Sequence, residues 1–162
     1  MPVSTPSQTI GPFFAVGLGG SSHGEIASRE SADAVEIAGV VRDGAGQPVP
    51  DALVELSQAE GCARAATSPD GSFSFVTVKP APVPGLDGVV QAPHIAVSVF
   101  ARGLLSRLAT RVYFPDEPEA NAVDPLLGEL DDSARLVARP TGDGLRFDIN
   151  LQGERETVFL DV

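Results

Sequence analysis

Polar and apolar residues alternate along much of this chain. In Ala92-Pro93-His94-Ile95-Ala96-Val97-Ser98-Val99-Phe100-Ala101-Arg102-Gly103, the positions His94, Ala96, Ser98 and Phe100 alternate with Ile95, Val97 and Val99. A period of two predicts a strand with two different faces. Similar patterns predict strands over 35–42, 52–57, 62–67, 72–78 and 108–114. In the second of these, Ala52, Val54 and Leu56 share one face and Leu53, Glu55 and Ser57 the other. Asp43-Gly44-Ala45-Gly46 and Ser68-Pro69-Asp70-Gly71 read as turns. Pro80, Pro82 and Pro84 make 79–91 an irregular loop, and Asp124-Pro125-Leu126-Leu127 predicts one short helical turn. A hairpin of 134–139 with 145–151 over Thr141-Gly142-Asp143-Gly144, then a strand over 156–160, completes the series. Eight or nine short strands with little helix predict an all-β sandwich over residues 35–162, preceded by an arm and loop over 1–34.

The arm reads Thr5-Pro6-Ser7-Gln8-Thr9-Ile10-Gly11-Pro12-Phe13-Phe14. Pro6 and Pro12 prevent a regular helix through it. Phe13 and Phe14 are costly to leave in water, so either they plug the domain's own core, the commoner fate, or they dock on another subunit. Residues 17–33 carry Gly, Ser and charge and read as a loop, in which His23 is a solvated side chain with no assigned role.

Composition narrows the functions. The chain has 162 residues, enough for one domain with its own core. A net charge of -11 argues against nucleic acid and anionic membrane surfaces as partners, since both select basic faces. Cys62 is the single cysteine, so no internal disulfide forms. There is no apolar run of membrane-spanning length and no basic-then-apolar leader, which makes the cytoplasm the expected compartment.

Two histidines, one cysteine and one tyrosine are the whole stock of those residues. A zinc site would need nearly all of them, and His23, Cys62 and His94 lie in unrelated contexts. No His-X-His, Cys-X-X-Cys or Gly-X-Ser-X-Gly occurs. On residue chemistry alone, His94 is a hydrogen-bonded core histidine more readily than a ligand. Arg102 either faces a pocket or pairs with one of the 22 acidic residues.

The motif Ala92-Pro93-His94-Ile95, then Phe100-Ala101-Arg102-Gly103 and Thr110-Arg111-Val112-Tyr113-Phe114, resembles the intradiol ring-cleavage dioxygenases. So do the arm, Thr5-Pro6-Ser7-Gln8-Thr9 followed by Gly11-Pro12, and the C-terminal Arg146-Phe147-Asp148-Ile149 with Gln152-Gly153-Glu154 and Glu156-Thr157-Val158-Phe159. The resemblance covers most of the chain outside 17–33. It implies a family whose catalytic members hold Fe(3+) with two tyrosines and a His-X-His pair. Here His94 matches the first histidine and Ala96 the second. One tyrosine position falls in a loop that shrinks to Glu60-Gly61, and the other falls near Val83. Tyr113 belongs to a structural strand of the family.

With three of four ligands missing, the resemblance is to the family's alpha chains, which bind no iron and pair with iron-bearing beta chains. It implies that His94 is a vestigial ligand position. It also implies that Thr9, Gly11, Pro12, Phe13 and Arg102 line the cavity for protocatechuate, an anionic catechol cleaved with O2 at the partner's iron. The family usually has tyrosine at the Phe13 position. An independent catechol or hydroxyquinol dioxygenase conflicts with the ligand count. The competing reading is a free-standing β-sandwich binding module without catalysis.

Overall fold

A computed structural model describes residues 4–11, 13–19, 24–85 and 88–161. Pro12 and His23 lie outside the described residues. A short helix, α1 (Phe14–Gly19), follows the arm. Then come β1 (Ala34–Arg42), β2 (Leu53–Gln58), β3 (Gly61–Ala66), β4 (Ser72–Val78), β5 (Val83–Pro84), β6 (Val90–Gln91), β7 (His94–Phe100) and β8 (Leu108–Tyr113). Helices α2 (Pro118–Ala122) and α3 (Pro125–Glu129) and a 3-10 turn (Ser133–Leu136) precede β9 (Arg139–Pro140), β10 (Leu145–Arg146) and β11 (Ile149–Asn150).

The strands form the expected sandwich. In one sheet β1 is central, antiparallel to β4 on one side and parallel to β10 and β11 on the other. The other sheet runs β3-β2-β7-β8, antiparallel throughout. Inward positions of both sheets, among them Ile37, Val41, Val54, Leu56, Phe75, Ile95, Val97 and Val99, interlock as one core. A smaller cluster of Ala92, Tyr113, Leu127 and Leu136 packs the helical segment against the second sheet. The odd residues of β7 are buried while His94, Ser98 and Phe100 are half-buried and Ala96 exposed, as the alternation predicts.

Several expectations need correction. A short helix, α1, runs from Phe14 at the end of the arm into the segment read as a loop; it starts beyond the second proline and so escapes its restriction. A two-strand hairpin, β5 with β6, forms inside the proline-rich loop. The expected strand over 134–139 is a 3-10 turn followed by the two residues of β9, so the hairpin with β10 is short. The strand over 145–151 is interrupted at Phe147 and Asp148. There the Phe147 carbonyl lies over Gly39, where a Cβ would sit 1.9 Å from it, and the Asp148 side chain takes the Val40 N–H at 3.1 Å. The expected strand over 156–160 survives only as a bridge of Leu160 to Ala109, because side-chain hydroxyls take ladder positions: Thr157 Oγ1 accepts from Asn150 N, and Thr110 Oγ1 donates to the Val158 carbonyl. Phe13 is 80% exposed, so it does not plug this domain's core; Phe14 is half-buried.

Candidate functional site

Strand β7 carries the predicted site residues at its two ends, His94 at its start and Arg102 just past its finish. The ladder with β2 pairs Leu53 with Phe100. Two residues further on, the same register sets Asp51 opposite Arg102, and the Arg102 Nε forms an ion pair with the Asp51 carboxylate. The arginine side chain is 60% exposed. It follows Ala101, which is fully buried, so the turn is anchored on its strand side. Gly103 has φ +88°, a left-handed conformation that a side chain would strain.

The arm reaches this turn. Gly103 N donates to Thr9 Oγ1 at 2.9 Å, across 94 residues of sequence. Gln8 and Ile10 lie beside Phe100, Ala101 and Leu104 around a small cavity of about 130 Å³. Thr9 and the Arg102 turn are therefore brought together. Gly11 and Phe13 are exposed, and a Cβ on Gly11 would meet no atom within 4 Å. Among the described residues no hydrogen bond or ion pair joins Arg102 to either of them. Asp51, which sequence reasoning missed, is legible in hindsight: the β2 and β7 patterns fix the register that places it.

The His94 end is built differently. His94 is half-buried, its Nδ1 lies 2.8 Å from the Ala92 carbonyl, and its ring is 5.3 Å from that of Tyr113. Burial pushes its pKa below the ordinary histidine value, which keeps the ring neutral. Bonded to a carbonyl, Nδ1 carries the proton. Tyr113 is fully buried and donates to Asp124 Oδ1 at 3.2 Å while accepting from Arg111 Nη1 at 3.2 Å. Burial raises its pKa to about 12. Asp124, 2% exposed, also accepts from Ala92 N at 2.8 Å and from the N–H groups of Leu126 and Leu127, capping α3. This carboxylate ties the His94 strand to the helical segment. The Asp-Pro helix start signalled the cap but not the link.

Iron does not fit this end. Ala96 offers a methyl group, and the surface beside it is a groove of about 590 Å³ lined by Ser57, Cys62 and Ser98 together with the ion-paired Glu55 and Arg64. The first tyrosine-ligand position has become a tight turn, since Gln58 pairs directly with Gly61. Val83 occupies β5, opposite Gln91. The lone tyrosine is a buried neutral phenol, the reverse of the exposed, low-pKa group that ligates as tyrosinate. Among the described residues no three His, Cys, Asp or Glu side chains gather into a metal site.

Solved structures that share this fold include intradiol dioxygenases. One is the dioxygenase domain of a dioxygenase–carbohydrate-binding fusion from Streptomyces sp. SirexAA-E (28% identity, 92% of this chain and 98% of that chain, TM-score 0.65). Another, similar in fold alone, is hydroxyquinol 1,2-dioxygenase from Pseudomonas putida DLL-E4 (17% identity, 78% of this chain and 58% of that chain, TM-score 0.61). The framework is thus that of an intradiol ring-cleavage dioxygenase, a non-haem iron family. No protein-family model matches the chain. Protocatechuate 3,4-dioxygenase alpha chains of Burkholderia cepacia and Pseudomonas putida are 37% and 38% identical, over 98% and 97% of this chain and 97% and 96% of theirs. The chain belongs to the protocatechuate 3,4-dioxygenase alpha-chain family. The B. cepacia beta chain is 30% identical over 76% of this chain and 66% of its own length. The alignment with the B. cepacia alpha chain spans 195 positions, so that relative carries segments this 162-residue chain lacks.

Proposed function

We propose that this chain is the iron-free alpha subunit of a protocatechuate 3,4-dioxygenase, and that it completes the substrate pocket of an iron-bearing beta subunit in a cytoplasmic complex. The observation that carries the reading is the Thr9–Gly103 hydrogen bond, which clips the arm to the turn that presents Arg102. Residues 1–34 act as the reaching arm and 35–162 as the scaffold. Thr9, Gly11, Pro12, Phe13 and Arg102 form the wall offered to the substrate.

Arg102 suits an anionic catechol. Asp51 takes its Nε, which leaves the terminal amino groups to grip a carboxylate with charge-assisted hydrogen bonds. Phe13 offers an aromatic face without the hydroxyl of a tyrosine. Its exposure in the single chain supports cover by a partner, because a ring left in water gains from burial. The beta subunit's ferric ion supplies the chemistry in which protocatechuate and O2 give 3-carboxy-cis,cis-muconate. His94 takes no part in it.

The test is Arg102→Ala in the reconstituted complex. A charged hydrogen bond contributes about 1.5–3 kcal/mol, so KM for protocatechuate rises about tenfold or more while bound iron stays constant. Loss of iron in step with loss of activity would contradict the reading and make Arg102 structural.

A further inference from the structure

The chain has twice as many acidic as basic residues, 22 against 11, yet five of its arginines line one cavity of about 340 Å³. Arg42 closes β1, Arg135 lies in the 3-10 turn, Arg139 and Arg146 face each other across the β9–β10 ladder, and Arg155 follows β11. Like charges directly opposite on a sheet repel. Asp148 relieves that pair: Oδ2 accepts from Arg139 at 3.0 Å and Oδ1 from Arg146 at 2.8 Å. It is the one carboxylate lining the cavity among the described residues, and its Oδ1 also holds Val40 N.

Of the other three, Arg42 and Arg135 are held by backbone carbonyls. Arg42 donates to the Gly46 carbonyl at 3.2 Å, and Arg135 to the Glu156 carbonyl at 2.9 Å. Arg135 also pairs with Asp132 at 3.2 Å, at the surface. Neither Arg42 nor Arg155 has an ion-pair partner among the described residues. With Asp148 and Asp132 both counted, three positive charges remain in excess around one cavity. Val137 and Phe147 give it an apolar wall beside the guanidinium groups. It shares no lining residue with the cavity between the arm and the Arg102 turn.

We propose that this cavity is a binding site for a small polycarboxylate, separate from the Thr9–Arg102 wall. Guanidinium forks match carboxylate geometry, a ligand with two or three carboxylates balances the excess charge, and the apolar wall accepts its carbon chain. The volume lies in the range of small-molecule sites. The chemistry selects for charge number, so a tricarboxylate binds and a short monocarboxylate does not.

Calorimetric titration of tricarballylate, a tricarboxylate, into the isolated chain and into the alpha–beta complex tests this, with propionate at equal ionic strength as the control. Saturable tricarballylate binding in both forms, at least tenfold tighter than propionate, is expected. Arg139→Gln with Arg155→Gln weakens it at least tenfold. Arg155→Gln alone, at an exposed position without an ion pair, weakens it several-fold and guards against a misfolded double variant. Equal affinity for propionate, or binding unchanged by Arg155→Gln in a folded chain, overturns the proposal. Binding to the isolated chain that vanishes in the complex also overturns it, since the cavity is then an interface for the partner's acidic residues.

Discussion

Asp51 and Arg102 form an ion pair just beyond the last pair of the β2–β7 ladder, Leu53 with Phe100. The ion pair orients a guanidinium that is otherwise mostly in solvent, at the same turn that Thr9 secures from the arm. Because Arg102 is largely exposed, the pair contributes only about 0–1 kcal/mol to stability, and its consequence is positional. Asp51→Asn therefore leaves the unfolding midpoint in urea nearly unchanged. In the complex it raises KM for protocatechuate about threefold, less than Arg102→Ala does, with iron constant. A stability loss well above 1 kcal/mol would assign the pair to the scaffold instead.

Thr9→Val removes the acceptor for Gly103 N while keeping the side chain's shape. The bond is exposed, so the cost to global stability is about 1 kcal/mol or less. The arm loses its one side-chain tether to the Arg102 turn among the described residues. Faster proteolytic cleavage within residues 4–11 and a higher KM for protocatechuate are expected, with no change in the core's unfolding. Unchanged cleavage and unchanged KM together would show that the tether does not matter.

Asp124→Ala removes a buried carboxylate that satisfies Tyr113, Ala92 and the first turn of α3. Several donors are left unpaired at once, so unfolding free energy falls by about 3 kcal/mol or more. Urea unfolding of the isolated chain measures this. A loss under about 1 kcal/mol would show that water replaces the carboxylate at little cost.

Tyr113 gives a clean alkaline signature, because the chain has one tyrosine and no tryptophan. Its folded pKa is pushed up to about 12, above the ordinary value of 10.0. The unfolded chain releases the proton first, so the stabilisation is fully present below the unfolded value and is lost as pH rises through the window up to the folded one. The slope is at most about 1.4 kcal/mol per pH unit. Phenolate absorbance should rise near the ordinary value in denaturant and near 12 in the folded chain. A folded-state midpoint at the ordinary value would contradict the buried, hydrogen-bonded phenol.

His94 titrates in the opposite sense. Its folded pKa lies below the ordinary histidine value of 6.5, so the unfolded chain takes up a proton first and stability falls as pH drops below that value. His94→Gln removes this acid-side loss and leaves iron in the complex unchanged. A drop in bound iron would mean that His94 is still a ligand.

The sandwich was legible where one face of a strand is buried and the other is not. Strands β1, β4 and β7 announce themselves because Ile37, Phe73 and Val97 alternate with polar or small neighbours. The extents of the last strands, beyond the turn over Thr141–Gly144, were not legible. Asp148 and Thr157 replace ladder bonds with side-chain bonds there, and periodicity does not register such bonds. The fate of Phe13 was open for a similar reason: sequence shows that an aromatic must be covered, not by what. Thr9 and Arg102 were singled out by resemblance, and their juxtaposition depends on a hydrogen bond across 94 residues that no local pattern records. The arginine cavity was invisible because four separate segments assemble it.

As proposed, the chain is an iron-free subunit that works only with its partner. The direct measurement is iron content and ring-cleaving turnover of protocatechuate for the chain expressed alone and co-expressed with the beta chain of the same organism. Neither iron nor turnover is expected for the chain alone, and one ferric ion per alpha–beta pair with full turnover is expected for the complex. Stoichiometric iron with turnover in the isolated chain would contradict the proposal.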